Sequence, residues 1–281
     1  MLFIFLKEVN ISSFCAFIFL KNILRYYNME EVKLDCTALI KTFNRPPVLF
    51  HLLKSIRQFY PTLPIIVADD SNDDKKVINK KYCEEFNAYW LELPFDTGLS
   101  EGRNAGIRLV KTKFTHIFDD DNLLQDNTRL QKMQYILENT DIDLIGTVTQ
   151  NDKICSTFAH KFINVERKED EDYTKYLLKC TINLKDEDKI ASPIKELNLY
   201  KCHIVHNNFM AYTEKLRQCP WRNYLKLEEH IPFFIDWYFK NFTVATCPEL
   251  ILNATIFVKK EYREFRKRRF LRNDEITIII E

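Results

Sequence analysis

Residues 33–71, KLDCTALIKTFNRPPVLFHLLKSIRQFYPTLPIIVADDS, decide how this chain folds. The run at 33–43 is short and apolar with Thr and Cys mixed in, which predicts a strand. Pro46 and Pro47 then suit the first turn of a helix. Val48, Leu49, Leu52, Leu53, Ile56 and Phe59 repeat on one face of it. A second apolar run, PIIVA, predicts a strand that stops at Asp69-Asp70. Strand, helix, strand in that order is a right-handed unit with its two strands parallel.

The alternation continues outward. Residues 73–86 read as a helix, AYWLEL (88–93) as a strand, and LSEGRNAGIRLVK (99–111) as a loop running into a helix. In this reading Gly98 and Gly102 lie in the loop, and Arg103 and Asn104 stand at the helix entrance. FTHIF (114–118) is a strand ending in Asp119-Asp120-Asp121, NTRLQKMQYILEN (127–139) a helix, and DIDLIGTVTQ (141–150) another strand. The expected fold class is α/β, a mostly parallel sheet flanked by helices.

Beyond residue 151 the pattern weakens. KYLLKCTINL, CHIVHNNFMAY and FTVATCPELIL are strand-like, and LEEHIPFFIDWYFKN reads as a helix with an aromatic face. The charged ERKEDEDYTK and KDEDK read as solvated loops. KKEYREFRKRRFLR reads as a basic helix that is either a solvated face or a cover for a diphosphate. The expected organisation is one domain over 29–281, with a nucleotide-binding half (29–150) and an acceptor half (151–281).

The apolar segment 1–28 stands apart. Lys7, Glu8 and Asn10 interrupt it, and its clean stretch is about half of the ~20 residues a spanning helix needs. It reads as a weak signal-anchor, as a helix packed on the domain, or as an extension ahead of a start at Met29. The first places the protein on secretory-pathway or Golgi membranes, and the last in the cytoplasm. Three N-x-S/T sequons, at Asn10, Asn241 and Asn253, leave both open.

Composition narrows the function. Lys+Arg 41 against Asp+Glu 40 leaves no global field to attract nucleic acid. None of the 8 cysteines forms a C-x-x-C pair or a zinc-spaced cluster. The acids remain. In parallel sheets, ligands bind beyond the carboxyl ends of the strands, and both Asp69-Asp70 and the 119–121 triplet fall there. Carboxylates crowded at a strand end repel one another, and a hard divalent cation with phosphate oxygens relieves that repulsion. For a bare triplet, a solvated turn or a helix cap is the better explanation. The GRN segment adds an arginine and a helix N-terminus suited to phosphate.

KTF-x-R, SIR-x-FYPT, ADDS, GRN and DDD, in this order and spacing, resemble the nucleotide-binding half of inverting GT-A (family 2-like) glycosyltransferases. The wording is nearest to the β-1,4-N-acetylgalactosaminyltransferases of the ganglioside GM2/GD2 synthase type. A thinner match runs through HNNFMAYTEKL and EEHIPFFIDW to CPELIL. The resemblance implies a Rossmann-like GT-A fold and a sugar, N-acetylgalactosamine in that family, moved with inversion from a UDP-sugar to a glycan or glycolipid hydroxyl. It implies Mn²⁺ or Mg²⁺ on Asp121 with Asp119 beside it. It places Thr42, Asp70, Arg103, Asn104, Asp119 and Asp120 around the donor.

For the general base the resemblance points to Glu229, with its neighbour Glu228 able to substitute. Phe233, Phe234 and Trp237 either stack on a sugar or pack the core. The chain departs from the family twice. Pro232 stands where the family has an acid, and Asn253-Ala254 stands where it often has a histidine. These departures keep a non-catalytic nucleotide- or glycan-binding member as the alternative, beside an enzyme using a different nucleotide-sugar.

Overall fold

The structure, a computed structural model, describes residues 33–125, 128–150, 155–156, 159–169, 174–181, 185–254 and 276–280. The chain divides into Met1–Leu34 and Asp35–Glu281, and every element below belongs to the second unit. The apolar 1–28 segment and the basic 259–272 segment lie outside the described residues.

The first half builds as its periodicity dictates. β1 (Cys36–Thr42), α1 (Pro46–Phe59), β2 (Ile65–Asp69), α2 (Asp73–Glu85) and β3 (Tyr89–Glu92) follow in order. α3 (Leu99–Leu109), β4 (Phe114–Asp119), the short β5 (Asn122–Leu123), α4 (Leu130–Glu138) and β6 (Leu144–Gln150) complete it. β1 is buried at every residue, which is why it reads as a continuous apolar run rather than an alternating one. α1 begins with both prolines in its first turn, where no helical N–H is lost, and buries Val48, Leu49, Leu52, Leu53 and Ile56.

The second half contributes β7 (Cys155–Ser156), β8 (Lys161–Glu169), β9 (Thr174–Thr181), β10 (Lys189–Ile190), β11 (Leu199–Cys202) and β12 (Phe209–Tyr212). The helices α5 (Thr213–Gln218) and α6 (His230–Phe239) follow, then β13 (Val244–Ala254) and β14 (Ile276–Ile280). The main sheet runs β10-β11-β13-β6-β12-β4-β1-β2-β3, with β5 on β13 and β7 on β6. Strands β3, β2, β1 and β4 are parallel. β12 runs antiparallel between β4 and β6, so the second half is woven into the sheet of the first. A separate sheet is ordered β14-β9-β8.

Three expectations are corrected. Helix α3 starts at Leu99, so Gly102, Arg103 and Asn104 are not in a loop or at its entrance but inside the helix and buried. A Cβ on Gly102 would lie 2.4 Å from the Lys41 side chain, and one on Gly106 would lie 2.2 Å from Leu39 Cδ1. These glycines let α3 press onto β1, a packing demand that outweighs their weak helix propensity. The charged run 166–175 is not a loop throughout, because β8 extends to Glu169 and pairs with β9 from Thr174. Asp188, in the 185–189 run, is buried and paired with Lys161. CHIVHNNFMAY is two strands, β11 ending at Cys202 and β12 starting at Phe209.

The aromatic face of α6 is core. Phe233, Phe234 and Trp237 are buried, and Trp221 stacks on Phe233 with ring centroids 4.3 Å apart. Pro232 falls in the first turn of α6, where its missing N–H costs no helical hydrogen bond. Cys36, Cys83, Cys202, Cys219 and Cys247 are buried free thiols. No helix among the described residues is long and apolar enough to cross a membrane.

The α3–β1 contact gives a direct stability test. Gly106→Ala forces a methyl group into Leu39 and is expected to destabilise the protein by about 1–3 kcal/mol, visible as a lower urea midpoint. An unchanged midpoint would show that the contact is looser than described.

Candidate active site

The carboxyl ends of β1, β2 and β4 lie side by side, because Thr42 is in register with Asp69 and Lys41 with Asp119. Thr42, Asp70, Arg103, Asp119 and Asp120 therefore meet at one edge, whereas Asn104 does not. The structure adds the pairings of these acids with Lys41, Arg45 and Arg103.

Asp70 is buried. Its Oδ1 accepts from the Lys41 ammonium, and its Oδ2 accepts from the Gly98 amide at 2.7 Å. Burial lowers the Lys41 pKa against the pull of Asp70. Gly98, at φ 96°, turns its N–H toward the carboxylate in a conformation that favours glycine. Asp69 serves the scaffold, accepting from Ser71 N, Asn79 Nδ2 and Trp90 Nε1.

The acid triplet is divided between two arginines. Asp120, with 1 % of its side chain exposed, takes Thr42 Oγ1 at 2.8 Å and the forked Arg45 guanidinium on both oxygens. Arg45 Nη1 also reaches Asp121 Oδ2 at 3.4 Å. Asp119 Oδ1 accepts from Arg103 Nη2 at 3.0 Å. The other terminal nitrogen of Arg103 holds Glu229 Oε1, so one buried guanidinium joins the end of β4 to the head of α6. Burial raises the Asp119 carboxyl, Arg103 opposes it, and the charges of Asp121, Glu229 and Asp120 add to it, leaving it at about 7. Its side chain is 43 % exposed, so solvent screens part of that crowding. Burial, then Asp120, raises Asp121 too.

Glu229 is 3 % exposed. Burial raises its pKa, but the charge and hydrogen bond of Arg103 outweigh that, and the carboxyl sits below its ordinary value. Asn207 Nδ2 donates to the same Oε1 at 3.3 Å, and Asn207 Oδ1 lies 2.7 Å from His230 Nδ1. Glu228 is exposed and takes a left-handed φ of 60°. Burial and the charge of Glu229 raise its carboxyl. Asn104 turns away from the edge: its Nδ2 donates to Trp221 O at 2.7 Å, and its Oδ1 accepts from Trp221 N at 3.0 Å. It thereby fixes the segment that leads to Glu228 and Glu229. The end of β13 pairs Asn253 with Leu123 and Ala254 with Asn122, directly after the triplet.

Among the described residues, no three His, Cys, Asp or Glu side chains form a ready-made metal cage. The acids do fit a Mg²⁺ or Mn²⁺ that brings its own phosphate ligands. Asp121 keeps 31 % of its side chain exposed beside Asp120, so a cation there would meet two adjacent carboxylates. Lys41, Arg45 and Asn207 fall inside the quoted KTF-x-R and HNNFMAYTEKL stretches, but the sequence alone assigned them no role at this edge. A lysine in a fully buried strand, as at Lys41, was a readable sign of a carboxylate partner.

Because the folded state holds Glu229 below the 4.5 of a free glutamate, it binds that proton less readily than the unfolded chain. The stability from this group is full above about pH 4.5 and falls as acid protonates it. In urea unfolding across pH, wild type is expected to exceed Glu229→Gln most near neutrality and to converge on it in acid. A gap independent of pH would contradict the ion pair.

Comparison with known proteins agrees with this geometry. The sequence profile "Glycosyl transferase family 2" matches residues 37–212. Mouse β-1,4 N-acetylgalactosaminyltransferase 2 is 32% identical over 220 residues, 78% of this chain and 39% of the relative. Human β-1,4 N-acetylgalactosaminyltransferase 1 is 28% identical over 232 residues, 81% of this chain and 39% of the relative. The chain thus spans about two fifths of the length of these relatives. The fold is that of the S. aureus TarS 1-349 structure with UDP-GlcNAc, at TM-score 0.57 and 16% identity, covering 82% of this chain and 61% of that one. It is also that of the Pyrobaculum calidifontis mannosyltransferase PcManGT with GDP-Man and Mn2+, at TM-score 0.56 and 14% identity, covering 89% and 69%. A sheet edge that gathers the acids at the ends of β2 and β4, with Asp119 tied through Arg103 to the head of α6, together with a profile matching more than half the chain, makes this protein a member of glycosyltransferase family 2.

Proposed function

We propose that this chain transfers a sugar from a UDP-sugar to a glycan or glycolipid hydroxyl with inversion. N-acetylgalactosamine is the donor favoured by the named relatives. The carrying observation is Arg103, which joins a donor-side acid, Asp119, to Glu229 on the acceptor side.

Thr42 and Asp70 border the nucleoside. Asp119 and Asp120 lie near the ribose and diphosphate, and Asp121 holds a divalent cation with Asp119 beside it. When bound, that cation offsets negative charge on the departing diphosphate. Phe43 and the exposed Phe95, with ring centroids 5.8 Å apart and planes tilted by 35°, offer apolar surface beside Lys41.

An inverting transfer needs a carboxylate to take the acceptor proton as its oxygen attacks the anomeric carbon. Glu229 and Glu228 divide the work in this proposal. Glu229 is buried, ionised and engaged by Arg103, so it positions the site. Glu228 is exposed, where an acceptor hydroxyl can reach it, and burial and the charge of Glu229 raise its carboxyl. Its left-handed backbone, uncommon for a glutamate, is consistent with a functional constraint.

The test is UDP release from a panel of UDP-sugars with Mn²⁺ or Mg²⁺ and a hydroxyl acceptor, followed by mass spectrometry of the product. Glu228→Gln is expected to lower kcat by roughly 100-fold or more with little change in donor KM. Glu229→Gln is expected to raise donor KM and weaken the fold. If Glu229→Gln lowers kcat alone while Glu228→Gln turns over normally, the two roles are reversed. Binding of UDP without turnover of any donor would mark a non-catalytic member of the family.

A further inference from the structure

The triplet's second acid is already neutralised by the chain itself. Arg45 places Nε and Nη2 on the two oxygens of Asp120, where Thr42 Oγ1 also donates. A forked guanidinium on a carboxylate is a strong and geometrically specific pairing. With the same head it reaches Asp121 more weakly, through Nη1 at 3.4 Å.

The backbone beneath this arginine is built to hold it. Pro46 follows Arg45 directly and restricts its conformation. Just before it, Asn44 adopts φ 56° and is pinned on both sides: its N–H donates to Ser71 Oγ at 2.8 Å, and its Oδ1 accepts from Asn72 N at 2.8 Å. The contacts of Arg45 with Asp120 and Asp121 therefore arise from this hydrogen-bonded corner after β1, and only 15 % of the arginine side chain is exposed.

Charge then decides what a cation meets. Asp119, Asp120, Asp121 and Glu229 carry four negative charges when ionised, and Arg45 and Arg103 carry two positive ones, leaving a formal −2. Asp120 is closed by its fork and Asp119 is engaged by Arg103. Asp121, the more exposed partner of Arg45 with 31 % of its side chain exposed, meets the guanidinium at the longer distance of 3.4 Å. A hard divalent ion offered one carboxylate beside a fixed guanidinium is bound weakly. The same ion arriving on a diphosphate brings further oxygen ligands and negative charge.

We propose that Arg45 is the resident counter-ion of the acid triplet: it stays on Asp120, yields Asp121 to the cation, and makes divalent-cation uptake depend on the nucleotide diphosphate. This rests on the UDP-sugar reading of the site. It adds that the guanidinium, by occupying the place of a second charge, sets the order in which cation and nucleotide bind.

The experiment is Mn²⁺ titration of the full chain, followed by the free-ion electron paramagnetic resonance signal, with and without UDP. Thermal melts of each variant confirm folding. In wild type, UDP is expected to tighten Mn²⁺ binding about tenfold or more. Arg45→Met removes one positive charge a few ångströms from the ion, so Mn²⁺ binding without UDP is expected to tighten about tenfold or more, and the UDP effect to shrink. Arg45→Lys keeps the charge but loses the fork, and should fall between the two; it also serves if Arg45→Met does not fold. Wild type that binds UDP and Mn²⁺ together, with neither variant binding Mn²⁺ more tightly in the absence of UDP, overturns the role of Arg45 and leaves the UDP-sugar reading standing. Failure of wild type to bind UDP or Mn²⁺ at all overturns both.

Discussion

One buried guanidinium organises this protein. Arg103 spends its two terminal nitrogens on Asp119 and Glu229, residues separated by more than a hundred positions in the chain. Removing either carboxylate from the trio leaves buried charge unbalanced, which is among the costlier changes a fold can suffer. The arrangement also explains why Glu229, though deeply buried, stays ionised: attraction to Arg103 exceeds the penalty of burial. The end of β4 and the head of α6 are thereby joined.

The rest of the structure places that guanidinium. Arg103 sits inside α3, and α3 can approach β1 only because Gly102 and Gly106 present no side chain to Lys41 and Leu39. Trp221 lies under the Arg103 head, with the guanidinium 5.5 Å from the ring centroid, and is itself clamped by both ends of the Asn104 amide. Neighbouring residues of one helix thus work at different depths. Arg103 reaches the acids, and Asn104 fixes the segment that delivers Glu228 and Glu229. Arg45 does at the end of β1 what Arg103 does from α3, so chain-borne charge offsets part of the crowding of the 119–121 carboxylates.

Much of the fold was legible because local and tertiary demands agree. The prolines of α1, its apolar stripe and the buried runs of β1 and β2 all point to the same unit. The strand-end acids were legible as an edge because a parallel sheet puts every strand's carboxyl end on one side. The pairings were not legible. Lys41 with Asp70, Arg45 with Asp120 and Arg103 with Glu229 join distant segments, and no periodicity encodes them. The start of α3 was misplaced because glycine usually argues against helix, whereas here it answers a close approach. The charged 166–175 run was misread for the related reason that strand pairing between β8 and β9 overrides local composition.

The central claim is that Arg103 and Glu229 act as one unit. A double-mutant cycle in urea with Arg103→Met, Glu229→Gln and the pair measures it directly. The account predicts that the two losses overlap, with a coupling of about 1 kcal/mol or more. Losses that add to within about 0.5 kcal/mol would mean that the two residues do not interact in the folded protein.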